Sequence, residues 1–405
     1  MITSEMHLRA ESSSTRAQNP NDSMSSQSSK LHFVFIPLMC PGHLIPMVDM
    51  GRLLAEHGVT VTIVTTPLNA SRIKTIIDRD IASGIQLQLL QLRFPCIEAG
   101  LPEGCENIDA LPSRLLSKNF MVAVGMLQKP LEQFLEETQP KPSCILSNRH
   151  HPWTFGAAQK LKIPRLAFDG TSCFTVTCSH FINLSKIHEK VSDDLEPFVV
   201  PGLPDRTELT RGQLPNDLNP VSVVLKVKEE DMRIADMASY GLVVNSSEEL
   251  KPRFGLRSIK QAIHIVREGY KSDEFNKWLS EEGFEERNKG RGLLIHGWAP
   301  QLSILSHTFM NEKLVVQVLG IGERVGADIA MKWGEEETYG VMLKREEITK
   351  AISLVIDSGN EGKERRKRAM KLQVLANKAF ENKGSSCLNV KRLIKDISQI
   401  SGTKD

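Results

Sequence analysis

Short apolar runs that alternate with helical periodicity from residue 31 onward are the feature that most limits how this chain can fold. Six runs have the length and apolar content of buried strands: residues 31–38, 59–66, 85–92, 143–147, 164–168 and 241–245. Between the first two runs, residues 46–58 have the apolar spacing of a helix and end at Gly58, a typical residue after a helix C-terminus. Strand–helix–strand alternation predicts a parallel, doubly wound α/β sheet within residues 31–250.

The pattern weakens after residue 250. Two further runs look like strands, residues 262–268 and 292–298. Helices are predicted over residues 274–284, 345–357, 363–383 and 387–400. Two or three strands in about 155 residues are few for a second α/β domain of ordinary build. We therefore divide the chain into a Ser-rich tail (1–30), an α/β domain (31–250) and a C-terminal domain that is short of strands (251–405).

The composition argues against several classes of partner. A formal charge of +2, with 25% charged residues, gives no reason to expect nucleic acid or an anionic membrane. No segment reaches the ~18 apolar residues that a membrane span requires. Residues 1–30 lack the apolar core of a secretory signal, and seven cysteines without a CxxC pair are typical of free thiols in a reducing compartment. We expect a cytoplasmic protein with a disordered tail and no integral membrane segment.

One motif follows the first predicted strand. The segment IPLMCPGHLIP (36–46) places Gly42 and His43 in the loop that leaves this strand, just before a helix. Such loops line the ligand crevice of doubly wound folds. A neutral imidazole there can accept a proton from a hydroxyl near pH 7; alternatively, His43 is a loop histidine bonded to a neighbouring carbonyl. The GxGxxG pattern is absent, which disfavours a dinucleotide cofactor.

Longer segments carry a more specific signal. They are GHLIPMVDMGRLLAEHGVTVTIVTTPLNASR, RFPCIEAGLPEGCENIDALPS, LVVNSSEEL, RGLLIHGWAPQLSILSH and MKWGEEE. With these segments the chain, from about residue 31 to its C-terminus, resembles the plant UDP-sugar glycosyltransferases that act on small secondary metabolites. The resemblance implies a GT-B fold, in which two Rossmann-like domains face a cleft. The N-terminal domain would bind the acceptor and the C-terminal domain the UDP-sugar.

The resemblance also implies a reaction. An inverting displacement would move a sugar from a UDP-sugar to a hydroxyl of a small hydrophobic acceptor, such as a flavonoid, another phenolic or a terpenoid. His43 matches the family histidine that deprotonates the acceptor as general base. Gly42, His151 and Asp169 are candidates for the acceptor side. No metal is implied, and no cofactor apart from the UDP-sugar co-substrate, of which UDP-glucose is the commonest in the family; the oligomeric state stays open.

A first departure from the family concerns the partner of this histidine. The family orients the histidine with an aspartate, and the matching position, within ILSNRHHPWT, is Asn148. An amide carries no charge and cannot stabilise an imidazolium; in serine proteases the comparable change costs about 10⁴ in turnover by favouring the wrong tautomer. His150, His151 and Asp169 are nearby candidates for partial rescue, or ordinary loop and cleft side chains. The two adjacent histidines lack further ligands at a metal-like spacing.

A second departure concerns the donor signature, which begins like Trp298-Ala299-Pro300-Gln301. By resemblance Trp298 would stack on the uracil ring, while the backbone of Ala299 and the side chain of Gln301 assist nucleoside binding. The family signature then continues through a His-Cys-Gly-Trp-Asn-Ser stretch that faces the diphosphate. Here LSH (305–307) runs directly into TFMNEKLVVQVLG (308–320), so this middle part is missing.

A third departure shortens the start of the donor domain. Between residues 248–256 and 258–270 little remains of the family's interdomain linker and first donor-domain strand and helix. We therefore predict an incomplete C-terminal domain. Three hypotheses remain: an active transferase with a reduced site, an inactive relative that at most binds acceptor, and a truncated gene-model or splicing product. The family favours glycosyl transfer, whereas loss of the donors that face a leaving UDP favours inactivity.

Overall fold

The computed structural model describes residues 31–215, 218–219, 223–245, 262–265, 308–330, 343–381 and 383–402. A seven-stranded sheet lies at its centre, and every neighbouring pair of strands in it is parallel. Its strands are β1 (His32–Ile36), β2 (Thr60–Thr65), β3 (Leu87–Gln91), β4 (Cys144–Asn148), β5 (Arg165–Asp169), β8 (Gly241–Asn245) and β9 (Ala262–Ile265). They lie in the order β3-β2-β1-β4-β5-β8-β9, and β6 (Pro197–Val199) pairs with β7 (Glu208–Thr210) in a separate antiparallel ribbon.

The six strands predicted before residue 250 are confirmed to within two residues at each end. Side chains of a strand point alternately to its two faces, and here both faces are apolar. Phe33 and Phe35 lie in one core cluster, whereas Val34 and Ile36 lie in a second cluster on the opposite face. Because helices cover both faces, the strands read as continuous apolar runs, as expected for a buried parallel sheet.

Eleven α-helices are present in the described part of the chain. They are α1 (Pro41–Glu56), α2 (Pro67–Ala82), α3 (Ser117–Met126), α4 (Gln128–Glu137), α5 (Thr154–Leu161), α6 (Cys173–Ser185), α7 (Val223–Ala238), α8 (Thr308–Lys313), α9 (Arg345–Ile356), α10 (Asn360–Phe380) and α11 (Ser385–Gly402). Apolar residues of α1, α2 and α11 share the cluster of Phe33, while those of α4 and α5 share the cluster of Val34. This two-sided cover is the predicted doubly wound arrangement. Across the described ranges, no helix combines the length and apolar character needed to cross a bilayer.

Helix α1 begins at Pro41, five residues earlier than the sequence pattern predicts. The prediction that Gly42 and His43 lie in a loop is therefore wrong, because both belong to the first turn of this helix. Proline suits the first helical position, where its fixed φ fits and its missing N–H would have no partner. The pattern pointed instead to Pro46, which lies inside the helix. His43 is consequently carried by a regular element that follows β1 directly.

The predicted boundary at residue 250 does not coincide with the edge of the sheet. Strand β9 pairs with β8 beyond that boundary, with Val243 opposite Ile263. Helix α11 packs against β9, and its buried Leu393 and Ile397 belong to the core cluster of Phe33. Helix α11 therefore packs into the same core cluster as strand β1.

The other C-terminal predictions divide into two groups. The helices predicted over residues 345–357, 363–383 and 387–400 are confirmed as α9, α10 and α11. The strand predicted over 262–268 is present as β9 at residues 262–265. The predicted helix at 274–284, the predicted strand at 292–298 and the Ser-rich tail lie outside the described residues.

A pair of leucines on α11 tests whether this helix is part of the core. Leu393 is 1% exposed, whereas Leu388 on the same helix is 52% exposed. We expect Leu393→Ala to lower the free energy of unfolding by about 2–5 kcal/mol, through lost burial and a cavity. Leu388→Ala should change it by about 0.5 kcal/mol or less. Urea denaturation of the full chain measures both, and equal effects would contradict the packing of α11.

Candidate active site

The strand order reverses between β1 and β4. Strands β2 and β3 extend the sheet on the far side of β1, while β5, β8 and β9 extend it beyond β4. In doubly wound folds, ligands bind outside the carboxyl ends of the strands at such a switch point. His43 lies on the helix that follows β1, and Asn148 is the last residue of β4. The topology therefore brings these two predicted residues to one crevice.

Asn148 lies between two histidines. Its Nδ2 is 2.6 Å from Nδ1 of His43, a residue 105 positions away in the sequence. Its Oδ1 accepts a hydrogen bond of 3.1 Å from the backbone N–H of His150 and lies 2.8 Å from Nδ1 of that ring. The His43 and His150 rings have centroids 5.7 Å apart and are nearly perpendicular. A buried amide thus joins two half-buried imidazoles.

The backbone N–H of His150 sets the orientation of this amide. An N–H group can only donate, so the Asn148 oxygen must face it and the NH₂ group must face His43. The reverse orientation would point two donors at each other and leave a buried donor unsatisfied, at a cost of about 1–3 kcal/mol. Because the NH₂ group donates, Nδ1 of neutral His43 accepts, and the ring proton lies on Nε2. An aspartate in this place would favour the opposite tautomer.

His151 is placed differently from its neighbour. It is 2% exposed, and its Nε2 lies 3.3 Å from the carbonyl oxygen of Pro37, to which it can donate. Its ring meets Trp153 edge-on at 5.9 Å. Burial lowers the pKa of His151 to about 4, and the hydrogen bond to Pro37 opposes that shift. The ring is therefore neutral at pH 7 and lies inside the protein.

Asp169, the last residue of β5, is 3% exposed. Its Oδ2 accepts from Nη1 of Arg149 at 3.0 Å, and its Oδ1 accepts from the backbone N–H of Thr171 at 2.9 Å. The contact with Arg149 anchors the middle of the segment from Asn148 to His150. Asp169 thus adds negative charge near the histidines without replacing the family aspartate at position 148.

Two arginines that the sequence reasoning did not select stabilise the end of β4. Arg165 is 2% exposed; its Nε donates to Oγ of Ser147 at 3.0 Å, and its Nη1 lies 3.5 Å from Asp236. Asp236 also pairs with Nε of Arg149 at 3.2 Å. Burial raises the pKa of Asp236, while Arg149 and Arg165 oppose that shift. The sequence contains a signal for this cluster, because an arginine inside the apolar run PRLAF (164–168) requires a buried partner.

The remaining predicted site residues are Gly42, Trp298, Ala299 and Gln301. Gly42 is buried in the first turn of α1, next to His43. Trp298, Ala299 and Gln301 lie outside the described residues. Within the described ranges, no group of three or more His, Cys, Asp or Glu side chains is arranged to hold a metal ion.

Comparison with known proteins gives a consistent result. No protein-family model matches the chain. The chain is 36% identical over 491 residues to UDP-glycosyltransferase 73C12 of Barbarea vulgaris, covering 93% of this chain and 98% of that protein. It is 35% identical over 495 residues to UDP-glycosyltransferase 73D1 of Arabidopsis thaliana, covering 92% and 97%.

Solved structures agree with these relatives. Glycyrrhiza uralensis UGT73P12, complexed with glycyrrhetinic acid 3-O-monoglucuronide, matches with a TM-score of 0.74 at 28% identity, over 92% of this chain and 97% of that one. Medicago truncatula UGT71G1, complexed with UDP-glucose, matches with a TM-score of 0.63 over 93% and 100%. At 17% identity, the second likeness concerns the fold alone.

The alignment with the Barbarea protein contains gaps in this chain, because it is longer than the number of residues that this chain contributes to it. A share of 93% of 405 residues is about 377, so at least about 114 of the 491 aligned positions have no residue in this chain. Most residues around the two shortened places lie outside the described part. The incomplete donor domain therefore stays a prediction.

The buried His151 predicts a pH dependence of stability. Unfolded histidine binds a proton near pH 6.5, whereas the folded ring does so only near pH 4, so stability is lost as the pH falls between these values. We expect His151 to account for a loss of about 2 kcal/mol between pH 7 and pH 5. His151→Gln keeps an N–H donor near Pro37 but cannot titrate. Urea denaturation at both pH values should show a smaller drop for this variant; equal drops would contradict a neutral His151.

Proposed function

Because this chain belongs to the plant family 1 UDP-glycosyltransferases, which have the GT-B fold, we propose that it moves a sugar from a UDP-sugar to a hydroxyl of a small hydrophobic acceptor. The observation that carries this proposal is the meeting of His43, Asn148 and His150 at the carboxyl ends of β1 and β4. A neutral imidazole at this position can take the proton of a bound hydroxyl.

The proposed chemistry is an inverting displacement. The hydroxyl proton passes to an imidazole nitrogen while the oxygen attacks the anomeric carbon from the side opposite the leaving group. The bond from that carbon to the phosphate oxygen breaks, and UDP leaves with the bonding electrons. Hydrogen-bond donors or cations must meet the charge that develops on the diphosphate.

We propose a flavonoid, another phenolic or a terpenoid as the acceptor class and glucose as the sugar. The Glycyrrhiza structure holds glycyrrhetinic acid 3-O-monoglucuronide, and this chain is similar to that protein over most of both lengths, which supports a small-molecule acceptor. The proposed roles of Trp298, Ala299 and Gln301 in nucleoside binding rest on the family resemblance.

The direct test is transfer by the purified full chain. UDP-glucose is supplied with a panel of flavonols, simple phenolics and triterpenoids, and products are detected by mass as acceptors that have gained one hexose. We expect such a product, and none when the UDP-sugar is omitted. Absence of product with UDP-glucose, UDP-galactose and UDP-glucuronic acid would support the hypothesis of an inactive relative instead.

Replacing His43 tests the site itself. Removing a group that contacts the reacting hydroxyl should lower turnover by about 10²- to 10⁴-fold, so we expect this loss for His43→Ala. His57, which lies just after the C-terminal end of the same helix and can donate from Nδ1 to Leu53, offers a matched control. His57→Ala should keep the wild-type rate. Equal rates for His43→Ala and wild type would exclude His43 from the site.

The proposed stacking of Trp298 on the uracil ring predicts an effect on UDP binding. Stacking of a base on an aromatic side chain is worth about 1–3 kcal/mol, so Trp298→Ala should weaken UDP binding by roughly 5- to 150-fold. Trp298→Phe retains an aromatic face and should keep most of the affinity. Isothermal titration of UDP into the three proteins measures this. Unchanged affinity in Trp298→Ala would contradict a uracil contact while leaving the His43 test unaffected.

A further inference from the structure

We propose that helix α10 docks on the surface of a lipid bilayer that contains anionic lipid, through an outer face that carries Lys363, Lys367, Lys371 and Lys378. The inferred occupant is a lipid surface because this face combines positive charge with exposed apolar side chains. Docking of this kind is separate from sugar transfer and uses no residue of the crevice.

The inner face of α10 fixes this helix to the protein. Arg365 is 5% exposed, and its Nη1 donates to the carbonyl oxygen of Leu354 on α9 at 2.7 Å. Its Nη2 also pairs with Glu323. Ala379, near the C-terminal end, is fully buried, and α10 packs against α11, whose apolar residues belong to the central core. The opposite face of α10 is therefore held outward by regular structure.

The outer face of α10 carries a local positive charge. Its six exposed positions are Lys363, Lys367, Met370, Lys371, Val374 and Lys378. Apart from one adjacent pair they recur every three or four residues, which places them on one side of the helix, over a length of about 22 Å. Within the described helix, no acidic residue lies among them; Glu364, at the edge, has its Oε1 3.5 Å from Nζ of Lys367. The charge is concentrated here although the whole chain has a formal charge of only +2.

Two apolar side chains distinguish this face from an ordinary solvated one. Met370 is 57% exposed and Val374 is 55% exposed, one turn apart and between lysines. Lysines alone are common on solvated helix faces. At a bilayer surface, apolar side chains enter the boundary between headgroups and acyl chains, while the long lysine side chains reach the anionic headgroups. Nucleic acid or an acidic peptide would attract the lysines equally but gives no general reason for the two apolar side chains.

The expected binding is weak and depends on salt. Each lysine close to an anionic bilayer strengthens binding by roughly fivefold. This attraction falls off within the Debye length, which is ~10 Å at 0.1 M salt and ~3 Å at 1 M. Docking should therefore require anionic lipid and be lost at high salt.

Sedimentation with lipid vesicles tests the surface directly. The purified full chain is mixed with phosphatidylcholine vesicles, with or without phosphatidylserine, at low and at high salt. We expect the protein to sediment only with the vesicles that contain phosphatidylserine, and only at low salt. No binding to either kind of vesicle, or equal binding to both, would overturn the proposal.

A double variant tests whether the lysines of α10 are responsible. Lys367→Gln combined with Lys371→Gln should weaken binding to phosphatidylserine vesicles by roughly 30-fold. Lys74 on α2 and Lys160 on α5 offer a matched control, since their side chains are 68% and 65% exposed. Lys74→Gln combined with Lys160→Gln removes the same net charge and should leave binding unchanged. Equal losses in the two double variants would overturn the assignment to α10.

A methionine variant separates a bilayer from another anionic partner. Met370→Ser removes apolar contact but no charge, and we expect it to weaken binding to phosphatidylserine vesicles by roughly fivefold, since only part of the side chain has left to be buried. Met237, which is 74% exposed on α7, offers the control, and Met237→Ser should bind like wild type. Wild-type binding by Met370→Ser would exclude insertion into a bilayer and favour an acidic protein or nucleic acid as the partner.

Urea denaturation of every variant controls for folding. All the substituted side chains are exposed, so each variant should keep the wild-type midpoint. If the change at Lys367 and Lys371 lowers the midpoint, Lys363→Gln combined with Lys378→Gln takes its place, with the same expected loss of binding. None of these measurements uses a UDP-sugar, so their outcome is independent of the proposed transfer.

Discussion

The parallel pairing of β1 with β4 is the constraint on which the rest of the site depends. Four registered pairs, from Phe33 opposite Cys144 to Ile36 opposite Ser147, bring together strands that lie far apart in the sequence. A slip of one residue would exchange the faces of β1 and move Phe33 and Phe35 into the wrong core cluster. The register is therefore fixed by burial on both faces, and with it the distance between His43 and Asn148.

An amide at position 148 differs chemically from the aspartate that the family resemblance leads one to expect there. Asn148 has the shape of an aspartate, sits fully buried and keeps a short hydrogen bond to His43. What it lacks is charge, and what it adds is a donor whose direction the His150 backbone determines. The Arg149–Asp236–Arg165 cluster holds this segment, and removing one partner of a buried ion pair costs about 3–5 kcal/mol. The buried amide thus presents a donor to one ring and an acceptor to the other.

How far the sequence predicts this protein depends on whether each feature is local. The strands follow from apolar runs such as residues 31–38, because strand burial leaves a short-range pattern. The meeting of His43 with the residue at 148 follows from the family resemblance. The start of α1 was misplaced because two prolines compete for the first turn, and local pattern cannot decide between Pro41 and Pro46. The Arg165 cluster and the packing of α11 depend on distant partners, which no local pattern encodes.

Strand β9 comes from the part of the chain that we predicted to form the C-terminal domain. Residues 262–265 fall within the predicted C-terminal domain, yet they form the seventh strand of the sheet that carries His43 and Asn148. A strand in this position covers an edge that would otherwise expose unpaired N–H and C=O groups along β8. Helix α11 packs against β9, so the pairing is supported on one face as well as along its edge. Four residues committed to this sheet cannot also belong to a second one. The sheet that carries Asn148 is thus completed by chain from beyond residue 250, and any second sheet must be built from the residues that remain.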